Sequence, residues 1–217
     1  MFNNRQVRLD HNLIPRMEQM NWQWNVYAKD AIKASQRVYE QWLDINIYPV
    51  ENTDKTIVAC SGTEDLGDWL INFAFLFNKD MVHRGFFGNA HRLLPLVLSK
   101  VDINQPLIFT GHSLGGATAV VLGAIMKEWG YNVQEIITFG CPRVGNKEFS
   151  DYYVSLSIPT THYVNGSDIV PVTPPWLLGF RDVPGVRISL PNKKWFRIIS
   201  DHRISNYSKH FTQDDQK

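Results

Sequence analysis

Apolar residues recur with helical spacing near the start of the chain. Between residues 27 and 42 they return at steps of three and four, with charged residues between them, and this pattern predicts an amphipathic helix. Two short apolar runs follow at 45–50 and 56–60, joined by a polar turn. We expect these runs to form a β-hairpin.

Apolar runs and helical patterns then alternate along the chain. They predict a helix at 88–100, a strand at 106–110, a helix at 114–129, a strand at 135–139, a helix at 146–156 and a strand at 160–164. Pro95 is expected to kink the first of these helices or to lie in its first turn. Strands that alternate with helices of this length form a mostly parallel sheet covered on both faces, so the predicted fold class is α/β.

The later part of the chain has a weaker pattern. Prolines interrupt it from residue 171 onward, and only 186–190 and 195–199 resemble strands, while the tail beyond Phe211 is polar. No repeat or low-complexity tract divides the sequence. We therefore expect one domain over residues 1–217.

The composition excludes several classes of protein. Lys and Arg number 22 against 21 Asp and Glu, so the net charge is +1 and offers no field for a nucleic-acid backbone. A hydrophobic share of 44% excludes intrinsic disorder. No run approaches the roughly 18 consecutive apolar residues that a membrane span needs.

The termini and cysteines bear on localisation. Residues 1–10 include Arg5 and Arg8 without a following apolar run, which does not predict a signal peptide. Cys60 and Cys141 are too few for a disulfide framework. We therefore expect a cytoplasmic protein, with signal-independent export as the alternative.

The strongest chemical signal is the segment Gly111-His112-Ser113-Leu114-Gly115. It lies between a predicted strand and a predicted helix, which is the context of a nucleophile elbow, where a serine occupies a sharp strand-to-helix turn. Side chains at either glycine would collide across so tight a turn. We therefore expect Ser113 to be a nucleophile.

A serine nucleophile needs an orienting acid and a base. Asp168 follows the predicted strand 160–164 and is the candidate acid, although Asn-Gly-Ser-Asp is equally a turn-forming sequence. His202 is the candidate base, in a stretch expected to be a loop. The alternative bases are His210 and His162, and the alternative acids are Asp151, Asp182 and Asp201.

An oxyanion hole is the third requirement of such a site. The N–H of Leu114, directly after the nucleophile, is one expected donor. The other is expected in the loop after strand 56–60, where Thr63 offers both an N–H and a hydroxyl, although Ser61-Gly62-Thr63 also reads as an ordinary turn. No metal-binding motif is present, so His83 and His91 are most simply surface or core residues.

The chain resembles the class 3 (fungal-type) lipase family of α/β-hydrolases. The resemblance runs from about residue 28 to 207 and rests on several blocks in the family's order. These blocks are Ser61-Gly62-Thr63, Asp68-Trp69, Val82-His83-Arg84-Gly85-Phe86, the segment 111–117 around Ser113, the segment 138–146 with its Phe-Gly-x-Pro-Arg-Val-Gly-Asn pattern, Asp168-Ile169-Val170-Pro171, and Asp201-His202 with Tyr207.

The resemblance implies roles for these residues. Ser113 would be the nucleophile, Asp168 the acid and His202 the base, with Thr63 and Leu114 as oxyanion donors. His202 is favoured over His210 because the family's histidine precedes a tyrosine by a few residues.

The resemblance also places a short lid at residues 64–78. The aromatic residues there would cover the site or touch lipid, and the alternative is that they belong to the core. The candidate substrate-binding residues of this lid are Trp69, Phe73 and Phe75.

The sequence therefore predicts a serine carboxylester hydrolase, most simply a lipase for acylglycerol-type esters, that needs no cofactor and no metal. Its expected partners are a lipid or small ester substrate and a transient lipid interface, and not nucleic acid. Two alternatives stay open. One is a phospholipase or small-ester esterase with the same triad, and the other is a catalytically silent member that binds a lipid or a protein.

Overall fold

The computed structural model describes residues 25–41, 43–62, 81–191 and 200–212. Its helices are α1 (Ala28–Glu40), α2 (Arg84–Leu98), α3 (Leu114–Glu128), α4 (Lys147–Ser155) and α5 (Ile204–Thr212). Its strands are β1 (Ile45–Pro49), β2 (Thr56–Cys60), β3 (Leu107–His112), β4 (Val133–Phe139), β5 (Gly145–Asn146), β6 (Thr160–Asn165), β7 (Phe180–Arg181) and β8 (Val186–Leu190). Short 3₁₀ turns form at Val170–Val172, Trp176–Leu178 and Ser200–His202.

Six strands form one sheet in the order β1-β2-β3-β4-β6-β8. The β1–β2 pair is antiparallel, as the predicted hairpin requires, and every other pair in this sheet is parallel. β5 and β7 form a small second sheet. The α/β class with a mostly parallel sheet is confirmed.

Helices cover both faces of the sheet because the central strands are apolar on both sides. Along β2, Val58 and Cys60 pack into one core with residues of α2, α3 and α4. Ile57 and Ala59 point the other way and pack with residues of α1 and α5. This alternation follows from the two-residue period of a strand. The carboxyl ends of the parallel strands meet at one edge, where the site forms.

Two helices differ from the prediction. α2 begins four residues early, at Arg84, because the His83 side chain accepts a hydrogen bond from the Gly85 N–H and caps the helix. Pro95 therefore lies inside this helix and not in its first turn. α5 follows His202 in a stretch that was expected to be a loop, although Ile204, Tyr207 and Phe211 are spaced as one helical face.

Several expected features lie outside the described residues, among them the strand at 195–199 and the lid at 64–78. Cys60 and Cys141 are free thiols. Within the described ranges, no helix is long and apolar enough to cross a bilayer. The same part of the chain contains no group of three or more side chains that could ligate a metal.

Candidate active site

Ser113 stands on the turn between β3 and α3. Its backbone has φ 57° and ψ −126°, a region that residues with side chains rarely adopt. The Ser113 N–H donates to the Phe139 carbonyl at 3.0 Å and ties the turn to the end of β4. Strain of this kind persists only where the surroundings impose it, and it is concentrated at functional sites.

The two flanking glycines make the turn sterically feasible. A Cβ added to Gly111 would lie 2.3 Å from the backbone of Gly115, and one added to Gly115 would lie 2.3 Å from the carbonyl oxygen of Cys60. Both distances are far below van der Waals contact. The predicted turn is present. Gly111 is required by the close approach of β3 to the start of α3, and Gly115 is required by the close approach of β2 to α3.

The structure brings Asp168 and His202 together. His202 Nδ1 lies 2.8 Å from Asp168 Oδ2, and both side chains are buried. The second carboxylate oxygen, Oδ1, accepts a hydrogen bond from the Val170 N–H at 2.9 Å. A carboxylate held in this way fixes the imidazole ring and keeps the proton on Nδ1.

Tyr207 and Gly140 complete the surroundings of the carboxylate. The Tyr207 hydroxyl donates to Asp168 Oδ2 and accepts from the Asn165 N–H at 3.1 Å. Burial and the adjacent carboxylate raise the pKa of Tyr207 well above its usual value, so it remains a donor. Gly140 has φ 59°, and an added Cβ would lie 2.8 Å from Asp168 Oδ2 and 3.0 Å from His202 Cε1. Only glycine leaves room for the pair.

Asp201 supports the loop that carries Asp168. Its Oδ2 accepts from the Ser167 N–H at 3.1 Å, and its carbonyl accepts from Asn165 Nδ2 at 2.9 Å. These bonds connect the 3₁₀ turn before α5 to the end of β6. Asp201 therefore positions the two candidate residues and does not contact the His202 ring as an alternative acid.

His112 lies against the candidate base. Its Nε2 donates to the His202 carbonyl, and the two ring centroids are 4.5 Å apart. Burial, together with the neighbouring His202, lowers the pKa of His112 well below its usual value. His112 is therefore neutral and holds the backbone of His202 beside the elbow.

Two reactive atoms are buried without a hydrogen-bond partner among the described residues: Ser113 Oγ and His202 Nε2. Buried polar atoms normally have a partner, and unsatisfied ones are concentrated where chemistry occurs. With Nδ1 protonated, Nε2 carries a lone pair and can accept a proton. The arrangement can therefore supply a hydroxyl and a base in one desolvated site.

The predicted oxyanion side is described only in part. Leu114 is the first residue of α3, where a helix leaves its N–H groups without intrahelical acceptors. A Cβ added to Gly62 would lie 3.5 Å from Ser113 Cβ, so the loop after β2 reaches the elbow. Thr63 and the lid residues Trp69, Phe73 and Phe75 lie outside the described residues.

The alternative bases and acids have other partners. His210 Nε2 bonds to Asn165 Oδ1 at 3.1 Å, and His162 lies between Thr138 and the Val183 carbonyl. Asp151 pairs with Lys147, and Asp182 pairs with Arg143 and Arg187. Within the described residues, the Asp168 carboxylate bonds instead to His202, Tyr207 and the Val170 N–H.

His162 makes stability depend on pH. Loss of solvation lowers its pKa from 6.5 to about 4, so the folded protein keeps the ring neutral while the unfolded chain takes up a proton. This difference makes the free energy of unfolding largest above pH 6.5, and that free energy falls as the pH drops toward 4. We expect His162→Gln to reduce the slope of the unfolding free energy against pH by about 1 kcal/mol per pH unit in this window. Urea titrations at several pH values test this, and equal slopes for both proteins would contradict it.

Comparison with known proteins extends these observations. The family model for lipase (class 3) matches residues 57–178. A lipase of Rhizomucor miehei is 33% identical over an alignment of 146 residues, and the match covers 59% of this chain and 40% of that protein. A secreted mono- and diacylglycerol lipase of Fusarium solani is 29% identical over 137 residues, covering 58% of this chain and 41% of that protein. The chain thus spans about two fifths of these curated relatives.

The fold has relatives among solved structures. The crystal structure of a lipase from Rhizopus microsporus var. chinensis superposes with a TM-score of 0.66 at 25% identity, covering 81% of this chain and 83% of that one. The central parallel sheet with helices on both faces is thus the α/β-hydrolase fold that the resemblance implied.

The expected cytoplasmic location is wrong, because the similar Fusarium solani enzyme is a secreted protein. The cysteine argument failed for a physical reason. Burial raises the pKa of both Cys60 and Cys141 to about 12, so these thiols are protonated at neutral pH, and as free thiols they form no disulfide that would report the redox compartment. The matching family model over 57–178, the nucleophile elbow and the shared fold lead to one conclusion: the chain belongs to the class 3 lipase family.

Proposed function

We propose that the protein is a serine carboxylester hydrolase that acts on lipid esters of the acylglycerol type, outside the cytoplasm. One observation carries the proposal. Asp168 holds Nδ1 of His202, while Nε2 of the same ring and Oγ of Ser113 are both buried without a partner among the described residues. The family and its lipase relatives support the same reaction class.

In the proposed reaction, His202 Nε2 removes the hydroxyl proton as Ser113 Oγ attacks the ester carbonyl carbon. The carbonyl π electrons move to oxygen and form a tetrahedral oxyanion. This oxyanion collapses, the alkoxide leaves with the proton from His202, and an acyl-enzyme remains on Ser113. Water then attacks the acyl carbon while His202 Nε2 takes a proton from it. The bond to Ser113 Oγ breaks, the serine regains the proton from His202, and the carboxylic acid is released.

Asp168 stabilises the imidazolium that forms at each step. Its carboxylate is hydrogen-bonded by the His202 ring, the Tyr207 hydroxyl and the Val170 N–H, so it stays in one orientation while the charge on His202 changes. The oxyanion would be stabilised by the N–H of Leu114 at the positive end of α3, and we assign the second donor to Thr63. Loss of one such donor costs about 2.7–4 kcal/mol of transition-state stabilisation in comparable sites.

Hydrolysis of p-nitrophenyl butyrate and of a long-chain glyceride emulsion tests the proposal, together with labelling by a fluorophosphonate. We expect turnover of butyrate and a single covalent adduct on Ser113. The emulsion rate, compared with that for phosphatidylcholine, separates an acylglycerol lipase from a phospholipase or small-ester esterase. A well-folded protein that neither turns over these esters nor is labelled would overturn the proposal and leave a silent binding member.

A further inference from the structure

Exposed apolar side chains are concentrated in the segment that follows Asp168. Ile169 is 38% exposed, Val172 45%, Trp176 62%, Leu177 75% and Leu178 37%. A single exposed leucine is ordinary, but five exposed large apolar side chains within ten residues are not, and such concentrations are typical of interaction surfaces. We name residues 169–181 the apolar loop.

The apolar loop is held in place by backbone contacts at two points. Arg143 Nη1 donates to the carbonyls of Val172 and Pro174 at 2.6 and 2.9 Å. Arg181 Nη1 donates to the carbonyls of Trp176 and Phe180 at 3.1 and 2.8 Å. The loop that carries the exposed side chains is therefore fixed in place. These side chains remain accessible to water and are not part of the hydrophobic core on either face of the sheet.

This loop lies at the same edge of the sheet as the candidate active site. Its first turn begins at Val170, whose N–H bonds to the Asp168 carboxylate. Arg143 comes three residues after Gly140, which adjoins both Asp168 and His202. A surface that binds the apolar loop would thus lie next to the candidate active site.

The charges beside the loop are mostly cationic. Arg143 and Arg187 share a single carboxylate, Asp182, at 3.2 and 3.7 Å, and Arg181 bonds to main-chain oxygens within the loop. Three of these four side chains are therefore cationic, and of the two that pair with Asp182, Arg187 is the more exposed, at 42% against 12% for Arg143. Tryptophan and leucine next to arginine are typical of segments that enter the interfacial zone of a bilayer, where phosphates meet acyl chains.

We propose that the apolar loop is the surface by which this protein docks on a phospholipid bilayer, with Trp176 and Leu177 entering the interfacial zone. The proposal rests on the proposed function, because docking there brings the lipid ester to the site. The apolar loop is needed for binding to the bilayer, whereas hydrolysis of a dissolved ester does not require the loop.

Vesicle co-sedimentation tests docking without hydrolysis. The protein carries Ser113→Ala, and the vesicles are phosphatidylcholine with a minor share of phosphatidylglycerol. We expect the combined change Trp176→Ala and Leu177→Ser to weaken vesicle binding at least about tenfold, because each side chain contributes that much when it is fully withdrawn from water. The matched control is Trp129→Ala, since Trp129 is 51% exposed but lies at the far end of α3. This control should bind like the parent.

The outcomes separate this inference from the proposed function. Vesicle binding that is unchanged by the double substitution, or weakened equally by Trp129→Ala, would overturn docking through the apolar loop. In the protein with Ser113 intact, the double variant should hydrolyse p-nitrophenyl butyrate at the parental rate and lose turnover of diacylglycerol added to the same vesicles. Loss of both activities would indicate damage to the site and also overturn the inference. Absence of butyrate turnover in the unmodified protein contradicts the proposed function alone.

Discussion

Replacing Ser113 with alanine is expected to lower kcat for p-nitrophenyl butyrate about a million-fold, while the unfolding midpoint in urea changes little. The large effect follows from the proposed mechanism, in which no other hydroxyl occupies the elbow and the acyl-enzyme cannot form. The small structural effect follows because Ser113 Oγ has no hydrogen-bond partner among the described residues. Initial rates and urea titrations of the purified proteins measure both quantities.

Ser208→Ala is the matched control for this change. The Ser208 hydroxyl donates to the Ser205 carbonyl within α5, and Ser208 is remote from the elbow in sequence. The control should retain the parental kcat. A Ser113→Ala protein that keeps more than a few per cent of the rate would contradict the nucleophile assignment. Fluorophosphonate labelling of the same preparation checks for a contaminating serine hydrolase, whose adduct would not have the mass of this chain.

Asp168→Asn is expected to lower kcat about ten-thousand-fold without unfolding the protein. The amide has nearly the shape of the carboxylate, but it carries no charge to stabilise the imidazolium and no longer fixes the proton on Nδ1 of His202. Measurement of kcat and KM on the butyrate ester separates this effect from substrate binding. The fall should appear in kcat, because Asp168 acts on His202 and not on bound ester.

Tyr207→Phe is the companion variant for this test. It removes the hydroxyl that bonds to the same carboxylate oxygen but keeps the ring, which packs against Phe139 and His112. One hydrogen bond to a charged group contributes about 1.5–3 kcal/mol, so kcat should fall no more than about a hundred-fold. An Asp168→Asn enzyme that loses less activity than Tyr207→Phe would contradict the proposed role of the carboxylate.

The sequence predicted the parts of the site that local patterns encode. The elbow is one short segment with a strand before it and a small-residue helix after it, so its geometry follows from nearby residues. The fold class was predictable for the same reason, because apolar runs and helical patterns alternate visibly. Asp168 and His202 were selected through family order, and the structure places them in contact.

The remaining contacts join residues far apart in sequence. Asp168 and Tyr207 are separated by 39 residues, and His112 and His202 by 90. No local pattern shows that Gly140 must lack a side chain because two other segments approach it. Asp201 was considered as an acid, and only the three-dimensional position of Ser167 reveals that it supports a loop. By contrast, the helical spacing of Ile204, Tyr207 and Phe211 is visible in the sequence, but α5 is too short to give a strong periodic pattern.

The separation of the base from the sheet affects how activity is lost on heating. Ser113 lies on the turn that follows the central strand β3, whereas His202 and Tyr207 belong to a 3₁₀ turn and a two-turn helix that pack on the α1 face. A local opening of this terminal piece removes the base and one partner of Asp168 while the sheet stays folded. We therefore expect thermal inactivation to be a sub-global event, in which reversible loss of turnover precedes loss of the far-ultraviolet circular dichroism signal.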